Sequence, residues 1–557
     1  MLRRGGDSGQ AVVIALGILM VLAVIPVTLV DQSTAVLGQG TQAINRHAAD
    51  AAVTAGLNDY LDLLANNPDY IVYSASNEPT PPNPAFTGWT PVPGPALDPP
   101  EWFRYTPDTS VAGATGIIRL TVSGRAGNPS NPGLEAVRSA RFGVRRSSYL
   151  DFVYFTDYEI GDPANQGNAE YSDYCLYHLD QANPFTGGTG PDTSSFDGGT
   201  GNCDFIEFVS SDVLNGPVHS NDGFRICGDA SFRSTVTSSV FPSGTPGQRW
   251  VSECNGTAPN WAVNGSPVYV PDISMPPSDT TLAAEAAPPA TGCLYTGPTT
   301  VHFHDNGTMD VTSPLSRATN GCGTGNGLAQ PADGVIYVQN VPASPSDPNY
   351  SSTATCSAHA NTYTGVTGCN GDLEVGDAQA ANGGVKGQLT LAAQNDVIID
   401  GDLVYQGGLT GTDVLGLIAG NYIEVNHPVT GSNDNTACTE GAAPTGTAAQ
   451  IAAETAPACD LVSPVIDAAV LSVAHSFLVN NAGTGSPLGN LTVNGSIAQE
   501  FRGAVGTDRS GTIVTGYAKA YTYDPRLEYL APPYFLDPTS SNYEVVSFSQ
   551  LTPQYPA

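Results

Sequence analysis

The sequence predicts a mainly β protein that opens with a helix. Three observations carry this. Glycine and proline are abundant, 62 and 44 of 557 residues, and only 13% of residues are charged, about half the usual ~25%. Short apolar runs punctuated by Gly, Asn and Pro recur through residues 151–557. Residues 11–30 form a long uncharged apolar run, and apolar residues at helical spacing follow it up to residue 64. Hydrophobic residues make up 40% of the chain, enough for a sizeable core.

Residues 1–9 form a short leader containing Arg3 and Arg4. Residues 11–30 (AVVIALGILMVLAVIPVTLV) hold no charge, and about 20 apolar residues are what a helix needs to cross ~30 Å of hydrocarbon. No Lys or Arg follows until Arg46. The positive-inside rule then places the N-terminus in the cytoplasm and the bulk of the chain outside. The expected partner of residues 11–30 is the lipid bilayer, with Pro26 kinking the helix. A cleaved secretory signal normally has a shorter apolar core. Beyond the span, Ile44, Ala48, Ala51, Ala55, Leu57, Leu61 and Leu64 lie at helical spacing, which extends the helix over 10–65.

Residues 66–150 read as a Pro-rich linker followed by a small β unit. Residues 66–108 hold PTPPNP and PVPGPALDPP, favouring extended backbone. Ile118, Leu120 and Val122 then alternate with Arg119, Thr121 and Ser123. After a Gly/Asn/Pro turn, Ala136, Ala140, Phe142 and Val144 share one face, with Ser139, Arg141 and Arg145 on the other. This is a hairpin pattern.

Residues 151–557 read as a repetitive β region. LTLAAQNDVII (389–399) aligns with LGLIAGNYIEV (415–425) at an offset of 26, each a strand, a tight turn at Asn395 or Asn421, and a second strand. Residues 471–479, 491–501 and 216–226 are looser copies. Short β-runs at this period suggest a solenoid, a parallel β-helix, whose coils bury inward residues on one another. The alternative is a β-sandwich with long loops.

Two resemblances attach to these residues. The polar leader, Gly9, the apolar helix and the stretch Ala48-Ala49-Asp50-Ala51-Ala52-Val53-Thr54-Ala55-Gly56 resemble the N-terminus of PilX-type minor pilins of the type IV pilus system. Gln10 after Gly9, and Ile14 where major pilins carry Glu, depart from the pilin pattern. The resemblance implies a pilin-like layout, a long helix on an antiparallel sheet. It also implies pilin-like subunits as partners, with Ala48, Ala51, Ala52 and Ala55 as a small-residue assembly face. The segments YFTDYE (154–159), LNGPVHSND (214–222), residues 503–505 and PPYFLDP (532–538) resemble a family of membrane-anchored bacterial surface proteins grouped with pilus-assembly proteins.

Charge is unevenly shared. Residues 1–150 hold 10 basic and 11 acidic residues, whereas residues 151–557 hold 9 and 41, a net −32. Such acidity argues against nucleic acid as a partner. The ten cysteines, Cys175, Cys203, Cys227, Cys254, Cys293, Cys322, Cys356, Cys369, Cys438 and Cys459, all lie in the exported part, with no C-x-x-C. Disulfides, mostly between sequence neighbours, are the expectation in an oxidising compartment.

Candidate chemistry is sparse. His219, Ser220 and Asp222 hold the residue types of a hydrolytic triad, but neighbours on one strand-turn point apart, so a hydrogen-bonded turn is expected. His302, His304 and Asp305 have metal-ligand types without a distant further ligand. Asp400 and Asp402 flank a glycine, a solvated turn rather than carboxylates opposed across a bond. His47 and His475 sit in apolar periodic runs and read as structural. No nucleotide, dinucleotide, EF-hand or nucleophile-elbow fingerprint occurs, so neither cofactor nor metal nor enzyme activity is expected. The expected function is a membrane-anchored structural component of a pilus-like or cell-surface assembly. The alternatives are a surface adhesin for glycans and, after it, a polysaccharide-acting β-helix enzyme.

Overall fold

The computed structural model of the chain describes residues 39–64, 66–67, 70, 73–94, 98–108, 117–128, 135–146, 148–165, 171–185, 187–192, 203–241, 249–252, 258–352, 370–376, 384–427, 461–538 and 543–551. These residues are mainly β, with helices at 39–64, Tyr171–Cys175 and Thr281–Ala286. The apolar run 11–30 lies outside them, and no described helix is long and apolar enough to cross a membrane. The chain divides into two units: Met1–Arg146 with Asn542–Ala557, and Ser147–Ser541.

In the first unit the helix buries Ala49, Ala52, Val53, Leu57, Tyr60 and Leu64. It lies on an antiparallel sheet ordered Thr90–Pro91, Glu101–Asp108, Ile117–Ala126, Ala136–Arg146, Tyr543–Leu551. Phe103, Tyr105, Ile118, Leu120, Val122, Ala140, Phe142 and Val144 form the facing layer. The hairpin faces follow the sequence pattern, because Ile118 opposes Val144 and Leu120 opposes Phe142. Two glycines set how closely the layers approach. A Cβ on Gly124 would meet the Ala49 carbonyl at 2.1 Å and Val53 N at 2.7 Å, and one on Gly56 would meet Val122 Cγ1 at 2.8 Å.

Three expectations change here. The periodic set that includes Ile44 and Ala51 mixes two helix faces: Ile44 is 58% exposed and Ala51 is exposed, whereas Leu57 and Leu64 are buried. The true stripe is Ala49, Ala52, Val53, Gly56, Leu57, Tyr60 and Leu64. Glu101–Asp108 is a full strand paired with Ile117–Ala126 rather than linker, since Phe103 and Tyr105 alternate inward despite the surrounding prolines. Tyr543–Leu551 pairs with Ala136–Arg146 and so belongs to this sheet, not to the region 151–557 in which its sequence position placed it.

The second unit is dominated by parallel pairing. One path of ten strands runs 260–261, 231–232, 213–215, 512–523, 487–502, 465–472, 414–419, 388–393, 335–339, 293–296. A second sheet carries the short strands Thr299–Phe303, Leu373–Val375, Val397–Ile399, Ile423–Val425 and Phe477–Val479 in parallel. The repeat pair stacks in register: Leu389 faces Leu415, Leu391 faces Leu417, Val397 faces Ile423 and Ile399 faces Val425. Their inward side chains are fully or nearly fully buried in one core, each worth roughly 1.5–3 kcal/mol. At the turn between the two strands the asparagines also stack. Asn421 Nδ2 donates to Asn395 Oδ1, and Asn395 Nδ2 donates to Asp372 Oδ1 at 2.5 Å.

The looser copies join the stack in a different register. Leu471 faces Ile418, not Leu415, and Phe477 faces Ile423. The turn from Ser472 to Phe477 is one residue longer than that from Ala419 to Ile423, which shifts any gapless alignment. The outward face is also covered. Ile273, Leu282 and Ala286 cluster with Val335, Tyr337, Ala392, Ile418, Leu471, Ala498 and Phe155. The segment PPYFLDP closes on the same face: a Cβ on Gly416 would meet Phe535 at 2.8 Å and Pro532 at 2.9 Å.

Cys175–Cys203 and Cys293–Cys322 are disulfides between sequence neighbours, and Cys227 is disulfide-bonded too. Cys254, Cys356, Cys369, Cys438 and Cys459 lie outside the described residues. Closing loops of separation 28 and 29 stabilises by about 3–4 kcal/mol each in the chain-entropy model.

The glycine contacts give a direct test of the helix–sheet layer. Gly124→Val forces backbone apart and should cost about 2–4 kcal/mol. Gly40→Ala, at a helical position with nothing within 4 Å, should be neutral or stabilise by up to about 1 kcal/mol. Denaturant titration of both variants measures the contrast, and equal effects would contradict the layer.

Candidate functional site

Strand Tyr154–Gly161 is inserted between two others. It pairs in parallel with Val218–Ser220, Phe155 facing His219, and with Pro487–Arg502, Phe155 facing Ala498. This brings together YFTDYE and LNGPVHSND, segments far apart in the chain. Gly503 continues the same arrangement: a Cβ there would stand 1.9 Å from the Phe477 carbonyl.

Beside this junction lies a cleft of about 480 Å³ lined by Asp157, His178, Asn221, Asp272, Ser274, Glu500 and an apolar wall of Met275, Pro276, Pro277, Val473 and Ala474. Asn221 is its hub. Its Nδ2 donates to Asp157 Oδ1 and to the Ile273 carbonyl, both at 2.8 Å, and its Oδ1 accepts from Ile273 N at 2.9 Å. Asp222 turns away, accepting from Leu179 N and Gly223 N at 2.7 Å and from Glu159 N at 3.2 Å. It anchors the loop that presents His178.

The cleft is electrostatically uneven. Burial works against a charged His178, but the Asp157 hydrogen bond and the Asp222, Asp157 and Asp272 charges outweigh it and raise its pKa to about 9. Glu500 is pushed up to about 8, by burial first and then by Asp157 and Asp162, against the opposing pull of His178. Both shifts favour the protonated form, an imidazolium at His178 and a carboxylic acid at Glu500, among further carboxylates. Such a lining accommodates a cationic or hydrogen-bonding group better than an anion.

The sequence candidates distribute as follows. His219 is buried, with its pKa lowered to about 4 by burial, and its ring bonds Thr237 Oγ1 at 2.9 Å and Asn221 Oδ1 at 3.0 Å. Ser220 Oγ lies 3.0 Å from Thr156 Oγ1 and accepts from Asp222 N at 3.1 Å. These three side chains thus form no relay. His302 Nδ1 lies 3.1 Å from the Gly376 carbonyl, while His304 Nε2 pairs with Asp310 at 2.9 Å and Asp305 is exposed. Among the described residues no three His, Cys, Asp or Glu side chains converge as metal ligands. Asp402 accepts from Val465 N at 2.9 Å. Asp400 instead lies beside Glu374, whose carboxyl is pushed up by burial and by Asp400. His475 pairs with Asp162 at 2.8 Å and stacks on Tyr422, while His47 is exposed. Of the assembly-face residues, Ala52 is buried in the helix–sheet layer, Ala48 and Ala55 are half-buried and Ala51 is exposed.

Sequence reading did not single out the buried ion pair beside the cleft. Arg502 Nη1 donates to Glu159 Oε2 at 2.6 Å, Thr156 Oγ1 donates to Glu159 Oε1, and the guanidinium lies 3.7 Å over the Phe208 ring. The two partners are 343 residues apart, a spacing no local pattern exposes. A buried pair costs desolvation that only good geometry offsets. Its main consequence is that the two distant segments must meet correctly.

Two outcomes follow. Arg502→Met leaves Glu159 buried without its partner and should destabilise by about 3–5 kcal/mol, whereas Glu159→Leu with Arg502→Met should recover much of it; equal losses by denaturant titration would contradict the pairing. His178 and Glu500 both have folded pKa values raised above their unfolded ones. The stability they contribute is therefore complete below the unfolded values and lost as pH rises through about 8 to 9. The melting temperature should be higher at pH 6 than at pH 9, with a smaller difference in Glu500→Gln.

Compared with protein-family models, curated proteins and solved structures, the chain matches none of them.

Proposed function

We propose that the chain is a membrane-anchored structural component of a pilus-like or cell-surface assembly, minor pilin-like in its first unit. In this reading residues 11–30 span the bilayer with the N-terminus cytoplasmic, and residues 147–541 form an extracytoplasmic β-solenoid. The observation that carries the reading is the first unit itself. The helix at 39–64 lies along its own antiparallel sheet by one face, leaving Ile44 and Ala51 exposed on the other. The in-register parallel pairing at an offset of 26 supports the solenoid.

A second reading, a surface binding protein, is favoured by the carboxylate-lined cleft with its apolar wall. It needs only an anchor, not an assembly helix.

Because Ala51 is exposed, it separates assembly from folding. Ala51→Glu should leave the melting temperature unchanged while abolishing co-purification with pilin-like subunits and removing the protein from filaments in immunogold micrographs. Normal assembly of this variant, or wild-type label spread evenly over the envelope, would reject the structural role in favour of the binding one.

A further inference from the structure

The first unit's sheet has a second face, turned away from the helix, and its chemistry is unlike the rest of the chain. Residues 101–146 carry seven of the 19 basic residues of the protein and only three acidic ones. Strand register sorts them. Arg104, Arg119, Arg125, Arg141 and Arg145 all occupy the positions that alternate with the buried Phe103, Leu120, Val122, Phe142 and Val144. Arg104, Arg119 and Arg141 are exposed. The acids sharing this region are Asp108, opposite Arg119, Glu135, 3.9 Å from Arg125, and Glu101, which alternates with Trp102 in the set that holds Phe103.

Two tryptophans are interleaved with these arginines. The Trp89 ring lies under Arg104 at 4.8 Å and Arg125 at 4.9 Å, and Trp102 lies under Arg125 at 4.6 Å. Stacking of this kind holds the Arg104 and Arg125 guanidinium groups in place. Arginine presents a fork matched to phosphate oxygens, and tryptophan is the residue that favours the headgroup level of a bilayer.

We propose that this arginine–tryptophan face docks on the anionic phospholipid headgroups of the membrane in which the chain is anchored. The proposal rests on reading residues 11–30 as that anchor. The described helix starts at residue 39, and the eight residues that separate it from Val30 can span at most about 30 Å, so on this reading the helix begins no farther than that from the bilayer. Tethering of this kind raises the effective concentration of the surface enormously. A dissolved polyanion, or a second copy of this chain, must instead approach a molecule of net charge −33. Each arginine near an anionic surface contributes on the order of 1 kcal/mol. The same surface repels the region of net charge −32.

The test uses the full chain reconstituted in phosphatidylcholine vesicles, with and without about 30 mol% phosphatidylglycerol. Arginines are labelled with phenylglyoxal and read by mass spectrometry. Labelling of Arg104, Arg119 and Arg141 should fall about fivefold in the anionic vesicles, the factor that about 1 kcal/mol corresponds to. It should recover in about 0.5 M NaCl. The exposed Arg317 and Arg509 of the second unit should label equally in both lipids. Equal labelling of the three sheet arginines in the two lipids, by a chain that resists alkaline extraction, overturns the docking proposal while leaving the anchor intact. Protection in both lipids points to a protein partner and overturns it as well. A chain stripped from the vesicles by alkaline carbonate overturns the anchor reading, and the docking with it.

Discussion

The second unit depends on register. A parallel strand displaced by one residue turns its whole inward set outward. Here that set runs through Leu389, Leu415 and their neighbours without a break. The stacked Asn395 and Asn421 hold the same register at the turn by side-chain hydrogen bonds. Inward leucines supply most of the favourable energy, but they are interchangeable; the amide ladder and the close glycine approaches are not. Gly495, whose Cβ would stand 1.9 Å from the Ala468 carbonyl, is one such point.

The same constraint explains the path of the chain. Strands 293–296 to 512–523 follow in sequence order, and 213–215, 231–232 and 260–261 then continue beyond 512–523. Early and late segments therefore share a sheet. The buried Glu159–Arg502 pair sits where they join, as does Lys519 Nζ, 2.9 Å from Asp212. Charges buried at such a junction add little net stability, but they penalise wrong pairings heavily. The cleft formed at this place takes Asp157 from the early segment and Glu500 from the late one, so its geometry depends on that closure.

Legibility in the sequence followed the range of the physics. The hairpin faces were visible because alternation is local, and the offset of 26 was visible because both strand–turn–strand repeats have turns of equal length. Residues 471–479 were legible only as a looser copy because a single extra turn residue shifts the face. Glu101–Asp108 was hidden by its prolines, and Tyr543–Leu551 by its distance from the sheet it completes. The cleft could not be read as a site, since Asp157, His178, Asp272 and Glu500 converge only through long-range pairing. Yet the segments quoted for the surface-protein resemblance include Asp157 and Asn221, which line it.

The described strands between residues 154 and 261 and between 293 and 523 form one stack that folds as a whole. Native-state hydrogen exchange on the full chain tests it most directly, at the ladder amides of Val218, Val397, Ile423 and Ile497, each donating to a carbonyl at 2.9–3.1 Å. The account predicts that all four open only with global unfolding and share one free energy and one denaturant dependence. Val218 and Ile497 exchanging through a separate, less costly opening, while Val397 and Ile423 stay protected, would contradict it.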